Sequence, residues 1–329
     1  MSQRTRRILL LIVWVIPIAG VVWWAMKQTA PTFPDTFGGV MALVGALALY
    51  AVATLMRAER WERILRRAGV EAKRADVYAL VPVGYMGNNV LPARGGELLR
   101  TFLLGARTDA TKRTILGTIL AERVLDAVAL GVILIALAWG LLSELWPPNE
   151  TALLIGIGVV VLLGLLLAVA ALRYRERLVF VLRALLPLAQ PSRQLLSGEG
   201  AALLVVSLAI WLVEASVYIV VGQAADIGLS LRDGLAVVAF TNAAALIPAA
   251  PGYIGTYDAA VIFSVRAVSS ASRSAVLSYL LLLRFVLFVP ITLVGFLLLV
   301  VRYGGLSRVR AARAAAQAEA RAKTATSAA

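Results

Sequence analysis

The sequence predicts an all-α polytopic membrane protein, with about six transmembrane helices and two re-entrant broken-helix hairpins. Three observations predict it. Of 329 residues, 61% are hydrophobic and only 15% charged, with a mean hydropathy of +0.87, a composition of membrane chains rather than soluble domains. Apolar runs long enough to cross hydrocarbon recur along the chain. Two further segments, 77–108 and 234–265, are apolar but interrupted by Asn, Pro and Gly. An eight-helix alternative, with Pro-kinked spans in place of the hairpins, stays open because Pro is tolerated in membrane helices.

The first run extends from Ile8 to Met26, behind Arg4, Arg6 and Arg7. A signal peptide has a shorter apolar region and a small-residue cleavage site. Here Lys27-Gln-Thr-Ala-Pro follows, so the run reads as a retained anchor. The remaining spans are expected near 38–56, 115–142, 152–172, 201–222 and 275–301. Between them, 57–76 carries Arg57, Arg60, Arg63, Arg66, Arg67, Lys73 and Arg74, with Trp61, Ile64, Leu65 and Ala68 at helical spacing. That pattern reads either as an amphipathic helix on anionic headgroups or as a solvated cytoplasmic helix.

Lys and Arg in short loops set orientation. Basic residues concentrate in 57–76, in 173–193 and after 301, whereas 143–151 has none, 27–37 only Lys27 and 223–233 only Arg232. The expectation is a multi-pass protein of the cell membrane with both termini cytoplasmic. The first division would be an integral-membrane domain over 1–303; the second, 304–329, would be a basic, disordered tail. The net charge of +14 is read as a membrane signal rather than a nucleic-acid footprint, because the basic residues sit at helix ends.

The two interrupted segments fall in corresponding positions of two halves, about 38–142 and 201–301. Residues 84–97 read Gly-Tyr-Met-Gly-Asn-Asn-Val-Leu-Pro-Ala-Arg-Gly-Gly-Glu, and 242–255 read Asn-Ala-Ala-Ala-Leu-Ile-Pro-Ala-Ala-Pro-Gly-Tyr-Ile-Gly. Asp76 lies 16 residues before Pro92, and Asp233 lies 15 before Pro248. The charge pattern sends the second half through the membrane in the opposite sense, which makes an inverted repeat. Breaking a helix frees N–H and C=O groups that hydrocarbon cannot satisfy, so such breaks survive only where they are buried in protein or line a polar cavity.

An ionisable residue inside a span costs roughly 2.5–3.5 kcal/mol on insertion scales, so each needs a reason. Arg94 stands at the first break, and its planar fork suits a phosphate. Glu97 and Arg100 are three apart and can touch on a helix; Arg100 reads as a snorkelling anchor. Glu122 and Asp126 lie one turn apart beside Arg123, about 10 Å into their span, and two carboxylates with one Arg invite a second cation such as Arg94 or Arg284, or a proton. Arg284 stands in an unbroken apolar run and must reach across the bundle, with Glu214 the natural partner and Asp258 and Glu97 the others. The candidate binding or translocation set is therefore Asn88, Asn89, Pro92, Arg94, Glu97, Glu122, Arg123, Asp126, Glu214, Pro248, Pro251, Gly252, Asp258 and Arg284. Asn242 reads as a cap on broken backbone.

The strings Asn-Asn-Val-Leu-Pro-Ala-Arg-Gly-Gly-Glu-Leu-Leu-Arg, Glu-Arg-Val-Leu-Asp and Pro-Ala-Ala-Pro-Gly-Tyr-Ile-Gly occur in that order. The chain thereby resembles, over about 8 to 303, the integral-membrane, flippase-like domain of lysylphosphatidylglycerol synthases. The resemblance implies a domain that moves lipid between leaflets, while a separate cytoplasmic domain makes the aminoacylated lipid. About 26 residues follow Tyr303, so the translocating half is expected without the synthase.

The absence of Cys and His excludes thiol catalysis, disulfides and imidazole bases. No nucleotide-binding motif is present, and no cofactor or metal is expected. The function expected is transport of an anionic or phosphate-bearing lipid, driven by a gradient or mass action. The partners are membrane lipids, with a lipid-pathway enzyme as a second candidate. A non-transporting partner subunit is one alternative. A membrane-embedded lipid-modifying enzyme is the other, disfavoured by the missing His or metal–carboxylate grouping.

Overall fold

The computed structural model describes residues 33–91, 95–145, 198–244 and 251–304. The spans expected at 8–26 and 152–172, the basic stretch 173–193 and the tail from 305 lie outside these residues. The described residues are helical throughout, without strands: α1 Phe37–Arg67, α2 Arg74–Val90, α3 Gly95–Gly105, α4 Lys112–Leu145, α5 Gly198–Ala224, α6 Leu231–Ala244, a 3₁₀ turn Pro251–Tyr253, α7 Thr256–Val268 and α8 Arg273–Tyr303. Three of them, α1, α5 and α8, are long and apolar enough to cross a membrane by length and composition.

Local chemistry sets the ends. Thr36 caps α1 by accepting the Gly39 N–H at 3.1 Å, and Ser272 caps α8 through Ala275 N at 3.1 Å. At the far end of α1, Gly69 adopts φ 71°. Its N–H reaches Arg66 O at 3.1 Å, and Val70 N reaches Leu65 O at 3.0 Å, closing a Schellman motif that Gly permits without a Cβ penalty. Helix α1 thus runs through 57–67 instead of ending near 56. The expected surface or loop helix is its continuation, with Arg57, Arg60, Trp61, Ile64 and Leu65 all buried.

Each expected broken segment is a pair of helices: α2 and α3 around the first break, α6 and α7 around the second. A long helix stands on either side of each pair, so the order helix, broken pair, helix occurs twice. The two sets interlock, α1 packing along α5 and α2 along α8. Small residues allow the closest approaches. A Cβ added to Gly96 would lie 1.8 Å from Gly84 O, and one added to Gly295 would lie 2.4 Å from Pro82 O. Two apolar clusters result. One, around Tyr218, Tyr279, Val261 and Leu283, joins α1 and α4 to α5–α8; the other, around Trp61, Leu80, Leu104 and Ile115, gathers the end of α1, α2, α3 and the start of α4 against α8.

The outer face is apolar as well. Val44, Val52 and Leu55 on α1 and Leu293, Phe296, Leu297 and Val301 on α8 are exposed. Soluble monomers rarely present contiguous apolar surface on this scale, whereas lipid requires it.

Candidate functional site

The two breaks meet. A Cβ added to Gly252, in the second, would lie 3.5 Å from the carbonyl oxygen of Asn89, beside the first. Where they meet, the helices line a partly open cavity of about 130 Å³, formed by Tyr50, Arg57, Tyr85, Asn88, Asn89, Glu97, Arg123, Asp126, Trp211, Glu214, Tyr218, Asn242, Tyr253, Tyr257, Leu287 and Phe288. Residues from α1, α2, α3, α4, α5, α6, α7 and α8 contribute, so neither set of helices forms the cavity alone.

The breaks are stitched by side chains. Asn88 Oδ1 accepts the Gly96 N–H at 3.0 Å, which satisfies one of the free donors at the start of α3. Asn89 Nδ2 donates to Thr292 Oγ1 on α8 at 2.9 Å. Asn242 Nδ2 donates to Val238 O, one turn back in its own helix, at 2.9 Å. At the second break Gly252, Tyr253 and Gly255 have φ of 65°, 55° and 91°, a run that the two glycines ease and that Tyr253 enters at a cost. Asp258 Oδ2 accepts the Gly255 N–H at 2.8 Å.

Charge is concentrated around the cavity and paired across long sequence distances. Arg57 is ion-paired with Glu214 and faces the Trp211 and Tyr85 rings at 5.5 and 6.0 Å. Arg60, only 1% exposed, donates to Asp126 Oδ1 and to Ser207 Oγ, each at 2.7 Å, with Glu122 Oε1 4.0 Å away. Arg100 donates to Glu122 Oε2 at 2.8 Å and lies 3.7 Å from the centre of the Trp61 ring. Arg123 donates to Asp126 Oδ2 at 3.4 Å.

The pair between Glu97 and Arg123 is different in kind. Their Oε1 and Nε lie 3.0 Å apart, yet both atoms are buried without a hydrogen bond among the described residues. The charges are close but the N–H is not aimed at the oxygen, and alignment decides whether such a contact is a bond.

Several sequence expectations are corrected here. Arg284 pairs with Asp258 rather than with Glu214, and also donates to Gly252 O at 3.1 Å. Glu214 is taken by Arg57 because α5 packs along α1. The extra cations beside Glu122 and Asp126 are Arg60 and Arg100, not Arg284; α1 and α3 bring them in. Glu97 and Arg100 do not pair with each other, since they turn to Arg123 and Glu122 respectively. Arg100 is no snorkelling anchor, being 5% exposed.

Of the candidate set, Asn88, Asn89, Glu97, Arg123, Asp126 and Glu214 line the cavity. Glu122 does not line it and is held by Arg100. Gly252, Asp258 and Arg284 form the second break, adjoining the cavity through Tyr257 and Phe288, whose rings lie 5.4 and 4.9 Å from the Arg284 guanidinium. Pro251 opens the 3₁₀ turn. Pro92, Arg94 and Pro248 lie outside the described residues. Arg57 and Arg60 were missed; they stand on the stripe of Trp61, Ile64 and Leu65, and that shared face was their signal. Among the described residues, no three acidic side chains group to hold a metal.

The family described as the lysylphosphatidylglycerol synthase TM region matches residues 7–295. Glycosyltransferase AglD of Haloferax volcanii is 26% identical over 281 residues, covering 72% of this chain and 45% of the relative. The UPF0104 membrane protein PH1989 of Pyrococcus horikoshii is 25% identical over 199 residues, covering 59% of this chain and 57% of the relative. The UPF0104 membrane protein MJ1595 of Methanocaldococcus jannaschii is 30% identical over 83 residues, a quarter of each chain. The matches span about half the length of the first two relatives. No solved structure matches the chain.

Proposed function

The chain belongs to the family of lysylphosphatidylglycerol synthase TM regions, and on that premise we propose that it moves a phosphate-bearing lipid between the two leaflets of a membrane. The observation that carries this reading is the polar cavity where the two breaks meet, lined by Arg57 and Arg123. A buried polar chamber between two broken helix pairs is the arrangement by which membrane transporters hold a polar cargo at depth.

In this reading the two sets of helices are inverted copies, with the Gly69 end of α1 on the cytoplasmic side and 223–233 external, and the broken pairs are re-entrant. Rocking of one set against the other would open the chamber to each side in turn. The headgroup enters the chamber while the acyl or prenyl chains stay in lipid against the apolar outer face. Movement follows a gradient or mass action, and no bond is made or broken.

A second reading rests on the name of one relative, a glycosyltransferase. There the chain would serve as the membrane partner of an enzyme that modifies a lipid or glycan. Native mass spectrometry of the gently purified protein separates the two. One enriched phosphate-bearing lipid, lost in Arg123→Gln, supports the translocator. Copurification with an enzyme subunit, and a lipid profile equal to the bulk membrane, supports the partner.

A further inference from the structure

The chamber meets its proposed cargo with a balance of charge already struck. Both arginines on its wall hold carboxylates: Arg57 pairs with Glu214, and Arg123 with Glu97 and Asp126. In and behind the wall, the described residues set four arginines, Arg57, Arg60, Arg100 and Arg123, against four carboxylates, Glu97, Glu122, Asp126 and Glu214. A phosphodiester adds one negative charge to that set. To reach a guanidinium it must displace a carboxylate. A buried carboxylate that has lost its counter-charge takes up a proton rather than stand charged.

The four carboxylates are not equally placed to do so. Glu122 has Arg100 and Arg60, and Asp126 has Arg60 and Arg123; each keeps one cation when the other is drawn away. Glu97 lies in the first turn of α3, where the helix N-terminus favours an anion. Glu214 stands in an apolar stretch of α5, Trp-Leu-Val-Glu-Ala-Ser-Val, and Arg57 is its one ion-pair partner among the described residues. Both side chains line the chamber, 8% and 9% exposed.

The other groups on the wall leave the adjustment to Glu214. The phenols of Tyr50, Tyr85, Tyr218 and Tyr257, on α1, α2, α5 and α7, stay neutral near pH 7, and Arg123 on α4 stays charged. From α6 and α8 come Asn242, Leu287 and Phe288, which do not titrate.

We propose that Glu214 is the proton-binding residue of the translocator: a phosphodiester headgroup displaces it from Arg57, and Glu214 takes one proton from water as the headgroup enters. When the headgroup leaves, Glu214 pairs with Arg57 again and returns that proton to water. Lipid and proton cross together, one for one, so a pH gradient drives the lipid. The inference rests on the translocator reading of the same chamber.

The experiment is isothermal calorimetry of the full chain in detergent with glycerophosphoglycerol, a soluble phosphodiester that stays a monoanion near neutral pH. Buffers of differing ionisation heat count the protons taken up per probe bound. The bound state holds the extra proton, so lower pH favours it. Uptake of about one proton is expected, with an apparent affinity that falls about tenfold for each unit the pH is raised around neutrality. Glu214→Gln is expected to bind the probe without proton uptake and with an affinity independent of pH. Should that variant fail to fold, Glu214→Asp takes its place: its shorter side chain holds Arg57 less closely, so it should keep the uptake and bind the probe more tightly. Probe binding without proton uptake, affinity independent of pH in the wild type, uptake unchanged in folded Glu214→Gln, or unchanged affinity in Glu214→Asp overturns the inference and leaves the phosphate cargo standing. No binding at any pH by folded protein removes the phosphate cargo, and this inference with it.

Discussion

Arg57 on α1 and Glu214 on α5, 157 positions apart in sequence, form a buried ion pair on the wall of the central cavity. Their helices belong to the two different sets, so the pair joins the halves at the chamber the proposed cargo would enter. Removing one partner leaves an uncompensated buried charge, whereas removing both does not. Glu214→Met and Arg57→Met alone are each expected to cost about 3–5 kcal/mol, and the two combined to recover most of that loss. Thermal unfolding in detergent over the double-mutant cycle checks it; equal losses in the single and double variants would remove the pair from the account.

Helix α8 approaches α2 through Gly295, where an added Cβ would meet Pro82 O at 2.4 Å. Backbone cannot swing aside as a side-chain tip can, so Gly295→Ala is expected to cost about 1–3 kcal/mol. Gly131→Ala on α4 is the control. Nothing lies within 4 Å of its added Cβ, and relief of a helix-interior Gly is expected to stabilise by about 0.5–1 kcal/mol. Melting temperatures of the two variants should move in opposite directions.

Beyond the apolar stretch of α1, Glu59 accepts from Tyr78 at 2.7 Å, Arg74 at 2.5 Å and Arg63 at 3.0 Å. The Tyr78 hydrogen bond, with help from the two arginines and against burial, holds its carboxyl down at about 2 against an ordinary 4.5. A depressed carboxyl contributes in full above its unfolded value and loses that contribution as pH falls through the folded one. Glu59→Gln should therefore lower stability at pH 7 by about 1 kcal/mol, a modest figure because the arginines are largely exposed. The gap to wild type should close between pH 4.5 and 2.

The chain has no Cys, so single cysteines report topology on a clean background. Arg63→Cys should react with an impermeant maleimide only from the cytoplasmic side, and Gln223→Cys only from outside. Labelling of both from one side would break the inverted-repeat reading.

The sequence made the breaks and the buried charges of α4 legible, because Asn, Pro and Gly inside apolar runs, and Glu122-Arg123 within a span, each need a special reason to be there. It misjudged Arg57 and Arg60 because a basic run at the end of a span reads by default as an interfacial anchor. The helix continues through them, and the Gly69 cap that ends it lies about three turns later. Pairings were the least legible feature. Arg284 had three plausible partners, and only the packing of α7 and α8 around the second break delivers Asp258. The missing hydrogen bond between Glu97 and Arg123 has no sequence signature, since it depends on the angle of one N–H.

The most direct measurement is transbilayer movement in protein-containing liposomes, using a fluorescent phosphate-bearing lipid and an impermeant quencher that reaches only the outer leaflet. The account expects faster movement than in empty liposomes, slowed at least about tenfold by Arg123→Gln in a variant that still melts cooperatively. Movement no faster than in empty liposomes, with folded protein in the bilayer, would contradict it.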